Sequence, residues 1–415
     1  MSEKLQAPRG TFDVLGDDAL ARDRLESLAR GILERAGYER IETPMFEATQ
    51  LFARGVGEST DVVQKEMYTF DSGDGSESLT LRPEGTAPVC RAYMEHGMHK
   101  LPQPVKLWYL SSYFRRERPQ KGRYRQFWQL GIEAIGSDDP AVDAEAILLL
   151  SEILEALGAR GLRLRISSLG TAASRAAYRE ELTAHLRANE DQLSEEVRSR
   201  IDLNPLRAFD ADHPGTRAVM AGAPLLLDFL SDDDHEHFEA VKALLDTAGV
   251  VYEVDPTLVR GLDYYTRTIF SFVCDQLGAQ SEIGGGGRYD GLIEQLGGPA
   301  TPAIGWAAGI ERILLALDEE EAPVGRDAFV AIADPGQRQR AMALAVELRH
   351  AGLSAEVDLA GRTLKGQLKH ANRIGARRAV ILEADGSAQL RDMESGEQRS
   401  ADPGNLVDEM TGGES

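Results

Sequence analysis

Apolar residues recur at helical spacing near the start of the chain. A helix is predicted over residues 18–36, and Gly37 stands where it should end. Its apolar face consists of Leu25, Leu28, Ile32 and Leu33. The next segment, YERIETP, predicts a short strand that leaves this helix.

Residues 79–96 predict a strand, a turn at Pro83 to Gly85 and a helix that begins near Thr86. Two aromatic-rich apolar segments follow, residues 105–114 and 126–135, with a basic loop between them. This pattern predicts a hairpin whose long tip is cationic.

The second half of the chain changes character several times. Helix formers dominate from about 172 to 247, interrupted by NPLRAFD, and predict a helical insertion. Strand character returns over 258–274, whereas 281–296 and 303–317 each predict a strand or turn that leads into a helix. An acidic linker, 318–327, precedes a unit at 328–415, where apolar strands alternate with amphipathic helices. That unit is predicted to be an α/β domain with a largely parallel sheet.

Composition narrows the class of protein. The chain has 415 residues, 42% hydrophobic and 27% charged, which favours two or three globular domains over disordered or fibrous classes. No apolar run reaches the ~18 residues of a membrane span, and the first residues do not resemble a signal peptide. Cys90 and Cys274 form no CxxC pair. A soluble cytoplasmic protein is therefore expected.

Charge points to local recognition of anions. Lys and Arg number 46 against 68 Asp and Glu, a net charge of −22, so the surface as a whole should repel a polyanion. Two basic clusters stand out against this background. Residues 115–125 hold six Lys or Arg and one acid, and residues 362–378 hold six and no acid. Such runs are often only solvated faces, but these two are candidates for anion binding.

Several residues have a pattern suited to chemistry. Arg115 ends one strand of the hairpin, and Gln129 and Glu133, four apart on the other, should point to one face. Gly284 to Gly287 are not a Walker A loop; they indicate either close backbone approach to a ligand or a β-bulge. The close pairs His96 and His99, and His235 and His237, are interpreted as surface residues, and no protein metal site is predicted.

The motifs together resemble one family. The hairpin resembles motif 2 of class II aminoacyl-tRNA synthetases, GIERILLAL resembles motif 3, and GYERIETPMFE resembles motif 1, which builds the dimer interface in that class. LVRGLDYYTRTIFSF and IGGGGRYDGL resemble two stretches peculiar to histidyl-tRNA synthetases, and RGTFDVL and LKGQLKHANRIGARRAVIL also fit that family. The resemblance covers nearly the whole chain.

The resemblance implies a fold and an activity. The fold is an α+β catalytic domain with an antiparallel sheet over residues 1–325, interrupted by the helical insertion, and a C-terminal α/β anticodon-binding domain over 328–415. The activity is formation of histidyl-adenylate and pyrophosphate from L-histidine and ATP, followed by transfer of histidine to the 3′ end of tRNA(His). ATP as substrate, Mg²⁺ with it and a homodimer are also implied.

It also implies residue roles. Arg115 would hold the α-phosphate and the amino acid carboxylate, with Arg260 on the opposite side, so that positive charge separates two anions. Glu133 and Tyr264 would meet the imidazole nitrogens, which allows discrimination without editing. The remaining histidine contacts are Glu84, Thr86, Gln129 and Tyr265. ATP would also contact Glu117, Phe127 and Arg312, and the tRNA contacts would be Arg118, Gln120, Arg123, Lys365, Lys369 and Arg373.

Other interpretations of the same residues stay open. Glu84 to Thr86 could be only a turn and a helix cap, and Arg260 could form a buried ion pair with Asp263. At the level of function, the alternatives are the non-catalytic regulatory subunit of ATP phosphoribosyltransferase and a tRNA-independent ligase on the same core. The intact RGLDYY segment and the basic tail argue against them.

Overall fold

The structure is a computed structural model, which describes residues 4–57, 60–73, 75, 77–317 and 325–411. Its contacts divide the chain into two compact units, Met1–Asp318 and Glu319–Ser415. Of the predicted linker, residues 318–324 lie outside the described residues.

An eight-stranded sheet forms the centre of the first unit. Its strand order is β1-β5-β6-β11-β10-β9-β7-β8, antiparallel except for the parallel pairs at its two edges, β1 with β5 and β7 with β8. The strands are β1 (Glu39–Arg40), β5 (Val105–Phe114), β6 (Gln126–Ile135), β7 (Leu162–Ser168), β8 (Glu253–Val254), β9 (Thr266–Cys274), β10 (Glu282–Arg288) and β11 (Ala303–Gly309). The predicted antiparallel catalytic fold is confirmed.

Helices cover the sheet and form the insertion. They are α1 (Asp17–Arg35), α2 (Thr49–Val56), α3 (Thr86–Glu95), α4 (Pro140–Ala156), α5 (Ala172–Ala188), α6 (Glu195–Arg198), α7 (Pro214–Met220), α8 (Asp232–Thr247), α9 (Leu292–Gln295) and α10 (Ile310–Leu315). A separate small sheet pairs β2 (Phe46–Ala48) and β3 (Tyr68–Asp71) with β4 (Ser78–Leu81). The helices α5 to α8 confirm a helical insertion.

The predicted first helix and hairpin are both present. Leu25, Ile32 and Leu33 of α1 are buried in the main core, and Gly37 has φ +84° just after the helix end. In the hairpin, β5 and β6 pair from Val105 with Ile135 to Phe114 with Gln126. The basic residues 115–125 therefore form its tip.

One predicted strand is too long. Residues 258–265 are loop, and β9 begins only at Thr266. Leu258, Tyr264 and Tyr265 are buried, so their apolar character reflects packing around a cavity and not pairing in the sheet.

The second unit is a mixed sheet with helices. Its order is β13-β12-β14-β15-β16, parallel among the first three strands and antiparallel in the last two, so the prediction of a largely parallel sheet missed β15 and β16. The elements are β12 (Ala328–Ile332), α11 (Arg338–His350), β13 (Ala355–Val357), α12 (Leu364–Arg373), β14 (Arg378–Leu382), β15 (Ala388–Asp392), β16 (Gln398–Ala401) and α13 (Leu406–Thr411).

Candidate active site

A cavity of about 650 Å³ opens over the central strands of the first unit. Most of the predicted substrate residues line it. They are Glu84, Thr86, Arg115, Glu117, Phe127, Gln129, Arg260, Tyr264, Tyr265 and Arg312. Residues from β6, β9, β10 and β11 and from the loop before β9 thus converge on one space.

Glu133 is the exception, because it lies fully buried behind the cavity wall. Thr86 Oγ1 donates to its carboxylate at 2.8 Å, and the hydroxyls of Tyr109 and Tyr289 donate at 3.1 and 2.5 Å. All three donors line the cavity. Burial raises the pKa of Glu133 to about 8. With that pKa the group is mainly protonated at neutral pH. Only in its ionised form does it offer about four acceptor positions, of which these three donors leave one for a ligand.

Glycines make this arrangement possible. A Cβ at Gly305, which pairs with Glu133 across the sheet, would overlap the carboxylate. A Cβ at Gly85 would lie 2.7 Å from the ring of Tyr109 and from the hydroxyl of Tyr113. These glycines, together with Tyr109 and Tyr289, were missed by the sequence analysis. Two features of the sequence could have indicated the tyrosines: the GRYD segment, which contains Tyr289, and the alternation of side chains along β5, which contains Tyr109.

Glu84 and Thr86 have structural roles as well as a place in the wall. Both carboxylate oxygens of Glu84 accept from backbone N–H groups at the start of α3, from Thr86 at 2.7 Å and Ala87 at 3.0 Å. Gly85 occupies the N-cap position and Thr86 is the first helical residue, while the side chain of Glu84, one residue before the cap, satisfies the first two N–H groups of the helix. Burial raises the pKa of Glu84 despite these bonds.

Gln129 has an unusual environment within the part of the chain that the structure describes. Its Oε1 is buried and has no hydrogen-bond partner there. Because it lines the cavity, this orphaned acceptor suits a ligand that brings an N–H donor.

Two arginines of the cavity are held by main-chain carbonyls. Arg115 Nε donates to Pro83 O at 2.9 Å, and its guanidinium lies 5.3 Å from the ring centre of Phe127. Arg312 donates to Gly122 O at 3.0 Å and to Glu282 O at 2.8 Å. Fixed guanidinium groups beside an aromatic ring suit a nucleotide.

Arg260 has a different partner from the one considered in the sequence. Its Nη1 contacts the carboxylate of Glu282 at the start of β10, whereas Asp263 accepts from Asn204 at 3.0 Å. The guanidinium also lies 5.7 Å from the ring centre of Tyr265. The four-glycine run has the irregular register expected of a β-bulge and also leaves room for a side chain of the cavity, whereas its approach to a ligand stays a prediction. Register shifts mark its ends, and a Cβ at Gly285 would crowd Arg260 Nη1 at 3.0 Å.

The tip of the hairpin divides its residues between solvent and cavity. Arg118 and Gln120 are exposed, whereas Arg123 is only partly exposed and forms an ion pair with Glu117. Gln120 and Arg123 close the tip through paired backbone hydrogen bonds of 3.0 and 2.9 Å. Arg123 thus lines the cavity, which its assignment to tRNA did not anticipate.

The insertion also reaches the cavity. Arg207, Phe209 and Asp210 of NPLRAFD line it, and Arg207 pairs with Asp210 at 2.9 Å. The interruption of the helical pattern was the available signal, but the sequence analysis gave this segment no role.

The interpretation of His237 as a surface residue is wrong. His237 is buried and lies 2.5 Å from the carboxylate of Asp143, which also contacts the fully buried Arg288 at 2.9 Å. Asp234, His237, Phe238, Val241 and Leu245 form the buried face of α8, a helical spacing that includes the histidine. The network joins the insertion to β10.

In the second unit, the basic residues of α12 form the predicted stripe. Lys365, Lys369 and Arg373 are exposed, and Gln367 and Ala371 are buried on the other face. Other members of the basic run are paired, Arg362 with Asp358 at 2.7 Å and Arg377 with Asp327 at 3.6 Å. Among the described residues, neither Lys365 nor Lys369 forms a salt bridge.

Within the described ranges, no group of three or more His, Cys, Asp or Glu could hold a metal ion. Cys90 and Cys274 are buried free thiols. In that same part of the chain, every helix is too short or too polar to cross a membrane.

Comparison with known proteins gives matches over both units. The Histidyl-tRNA synthetase profile matches residues 10–313 and the Anticodon binding domain profile matches 323–412. A histidine–tRNA ligase of Thermosynechococcus vestitus is 47% identical over 400 residues, with 95% of this chain and 93% of that protein covered. The Halothermothrix orenii enzyme is 46% identical over 414 residues, 98% and 99% of the two chains.

Solved structures agree with these matches. Apo Staphylococcus aureus histidyl-tRNA synthetase has a TM-score of 0.82 and 36% identity, covering 98% of this chain and all of that one. A Bacillus halodurans structure named as an ATP phosphoribosyltransferase regulatory subunit/histidyl-tRNA synthetase has a TM-score of 0.66 and 22% identity over 88% of this chain and 95% of its own. At that identity it shows the fold alone, so the regulatory-subunit alternative is less supported.

Proposed function

Because the chain belongs to the histidyl-tRNA synthetase family and acts as a histidine–tRNA ligase with ATP as substrate, we propose specific roles for the residues of its cavity. One observation carries the proposal. Behind one wall of the cavity lies the buried carboxyl group of Glu133 with its three hydroxyl donors. Elsewhere the cavity is lined by Arg115, Arg260 and Arg312. The first suits a ring with an N–H donor and an acceptor, and the second suits phosphates and a carboxylate.

At the histidine end, Glu133 accepts from one imidazole nitrogen in its remaining acceptor position, and the Tyr264 hydroxyl meets the other. Gln129 and Glu84 accept from the α-ammonium group, with Thr86 and Tyr265 completing the wall. An amino acid without a polar ring would leave these buried groups unpaired, which is the basis of selection.

At the phosphate end, Arg115 and Arg260 lie on two sides of the reacting groups. The histidine carboxylate attacks the α-phosphorus and pyrophosphate leaves; the 3′-hydroxyl of the terminal adenosine then attacks the carbonyl and AMP leaves. Phe127 and Arg312 enclose the adenine and Glu117 accepts from its amine. The contribution of these groups is electrostatic and geometric, since the first step requires no proton transfer.

Mg²⁺ is proposed to arrive with ATP. Bound to the phosphates, the ion would neutralise part of their charge. The first unit would catalyse both steps. The second would bind the anticodon through Lys365, Lys369 and Arg373, and Arg118, Gln120 and Arg123 would meet the acceptor end. A homodimer and a cytoplasmic location stay predictions, and a solution mass tests the first.

The direct test is histidine-dependent exchange of pyrophosphate into ATP, followed by charging of tRNA(His). Exchange should require histidine among the twenty amino acids, and charging should follow it. Exchange without charging would remove the tRNA proposal, and no exchange with any amino acid would remove the residue roles as a set.

A further inference from the structure

Arg260 presents an incompletely used guanidinium. Its Nη1 contacts Glu282, while its Nε is buried and has no hydrogen-bond partner among the described residues. An unsatisfied buried donor is costly, and such groups call for a ligand or another explanation. Because Arg260 lines the cavity, an anionic substrate would satisfy that nitrogen.

Glu282 is itself fixed on both of its parts. Its side chain is held by Arg260 and by the hydroxyl of Ser271 on the neighbouring strand β9. Its main-chain carbonyl accepts separately from Arg312 at 2.8 Å. One residue therefore touches two arginines of the site, but it does so through different atoms.

We propose that Glu282 is a positioning residue for Arg260: its carboxylate fixes one terminal nitrogen and so keeps the Nε edge of the guanidinium directed to the anions of the reaction. This inference rests on the proposed role of Arg260 and adds the residue that orients it. A planar fork that is fixed at one corner loses less freedom when it binds a second anion.

The local charges favour this arrangement. Burial raises the pKa of Glu282, but Arg260, Arg312 and the Ser271 hydroxyl together outweigh burial and lower that pKa below the ordinary value. Glu282 is therefore ionised near neutral pH. Its side chain is 42% exposed and that of Arg260 15%. Gly285, on the same strand as Glu282, leaves the space that the guanidinium occupies, because a Cβ there would lie 3.0 Å from Arg260 Nη1.

The separation of side-chain and main-chain contacts gives a specific test. In single-turnover adenylate formation with the full-length protein, Glu282→Ala should lower the rate constant about tenfold, since a small misplacement of a reacting group costs that much or more. The half-saturating ATP concentration should change less than threefold, because the carbonyl that holds Arg312 remains. Ser271→Ala should give a smaller loss with the same split. Glu253→Gln, at an exposed ion pair with Arg163 on the edge of the sheet, is the matched control.

A double-mutant cycle shows whether Glu282 acts through Arg260. In an Arg260→Ala background, Glu282→Ala should cause less than a twofold further loss, since nothing remains to be positioned. An additional tenfold loss would overturn the proposal. So would a faster reaction of Glu282→Ala or tighter ATP binding, which would mark Glu282 as a competitor of the substrate.

These variants distinguish the role of Arg260 from that of Glu282. If Arg260→Ala keeps near-normal activity, the proposed role of Arg260 fails. If Arg260→Ala is impaired but a folded Glu282→Ala and Glu282→Gln both react normally, only the role of Glu282 fails. Thermal unfolding midpoints close to that of the parent establish folding of each variant.

Discussion

Arg260 and Arg312 are held by partners inside the cavity, whereas Lys365 and Lys369 stand exposed on α12. Both sets of cations are proposed to bind a nucleotide, ATP in the cavity and tRNA on α12. In the cavity each guanidinium has a fixed position, which stabilises one arrangement of charge in a place with little water. On α12 the ammonium groups are exposed to solvent and screened by salt, so they attract a polyanion without fixing its atoms.

The cavity and α12 should therefore respond differently to the loss of one charged side chain. Loss of one group in the cavity leaves an unpaired charge or donor and should impair one chemical step. Loss of one cation on α12 removes only a share of an additive attraction. The overall charge of −22 makes the second effect visible, since the surface apart from α12 and the basic hairpin tip should repel tRNA.

The largest expected effect is that of Arg260→Ala. Removal of one preorganised donor should reduce histidine-dependent pyrophosphate exchange by about 10² to 10³, because the charge between the two anions is lost. Arg163→Ala, at an exposed arginine paired with Asp275, should leave exchange unchanged. Near-normal exchange in a folded Arg260→Ala protein would break the contrast between the two regions.

The sequence predicted the hairpin and the insertion because these depend on local patterns, whereas most residues of the cavity wall were indicated by the family resemblance. Alternation on β6 places Gln129 and Glu133 on one face whatever the neighbours are. Tyr289 and Glu282 were missed because their roles depend on pairing between strands far apart in sequence. Tyr109 lies on the predicted hairpin, where only the alternation of side chains along β5 indicates that it faces Glu133. Neither β10 beside β9 nor Gly305 opposite Glu133 follows from local periodicity. The resemblance, and not the periodicity, supplied the residue roles.

His237 illustrates a second limit. A histidine between acids on a helix is typical of solvent exposure, but α8 packs against α4 and the sheet, where Asp143 and Arg288 accommodate it. Burial of a charged network depends on all its members together. Two helices and one strand supply them here, so no single segment reveals it.

The second prediction concerns Glu133. Glu133→Gln replaces a carboxylate oxygen by an amide nitrogen that must face hydroxyl donors, so KM for histidine should rise at least about tenfold. KM for ATP should change less than threefold. Separate titrations of the two substrates measure the difference. Glu145→Gln, at a partly exposed ion pair with Lys106 outside the cavity lining, is the control. Equal losses for both substrates would indicate general disruption of the cavity.

The third prediction tests α12. Charge reversal of Lys365, Lys369 and Arg373 together should raise KM for tRNA several-fold or more at low salt and reduce the slope of its logarithm against log salt by about 2. Pyrophosphate exchange should be unchanged. Aminoacylation and exchange are compared for the same triple variant at two salt concentrations. Parallel losses in both reactions, or none in either, would remove the reason to call residues 328–415 an anticodon-binding domain.

The smallest effect is expected in the pH dependence of stability. It tests whether burial removes Glu133 from water, in contrast to the exposed cations of α12. In the folded protein, burial raises the pKa of Glu133 to about 8 from an ordinary value near 4.5. Between those values the folded state binds a proton that the unfolded state does not. The resulting stabilisation is therefore complete below about pH 4.5 and is lost as the pH rises through 8.

Glu133→Gln is neutral throughout that range and does not titrate, so the other groups of the two proteins cancel in a comparison. The thermal unfolding midpoint of the substrate-free parent, relative to that of Glu133→Gln, should fall by a few degrees between pH 5.5 and 8.5. Lys369→Gln, at an exposed cation of α12, is the control. It should show no such pH-dependent difference, because the side chain of Lys369 is exposed. A constant difference between parent and Glu133→Gln would mean that Glu133 is already ionised, with its three hydroxyl donors outweighing the cost of burial.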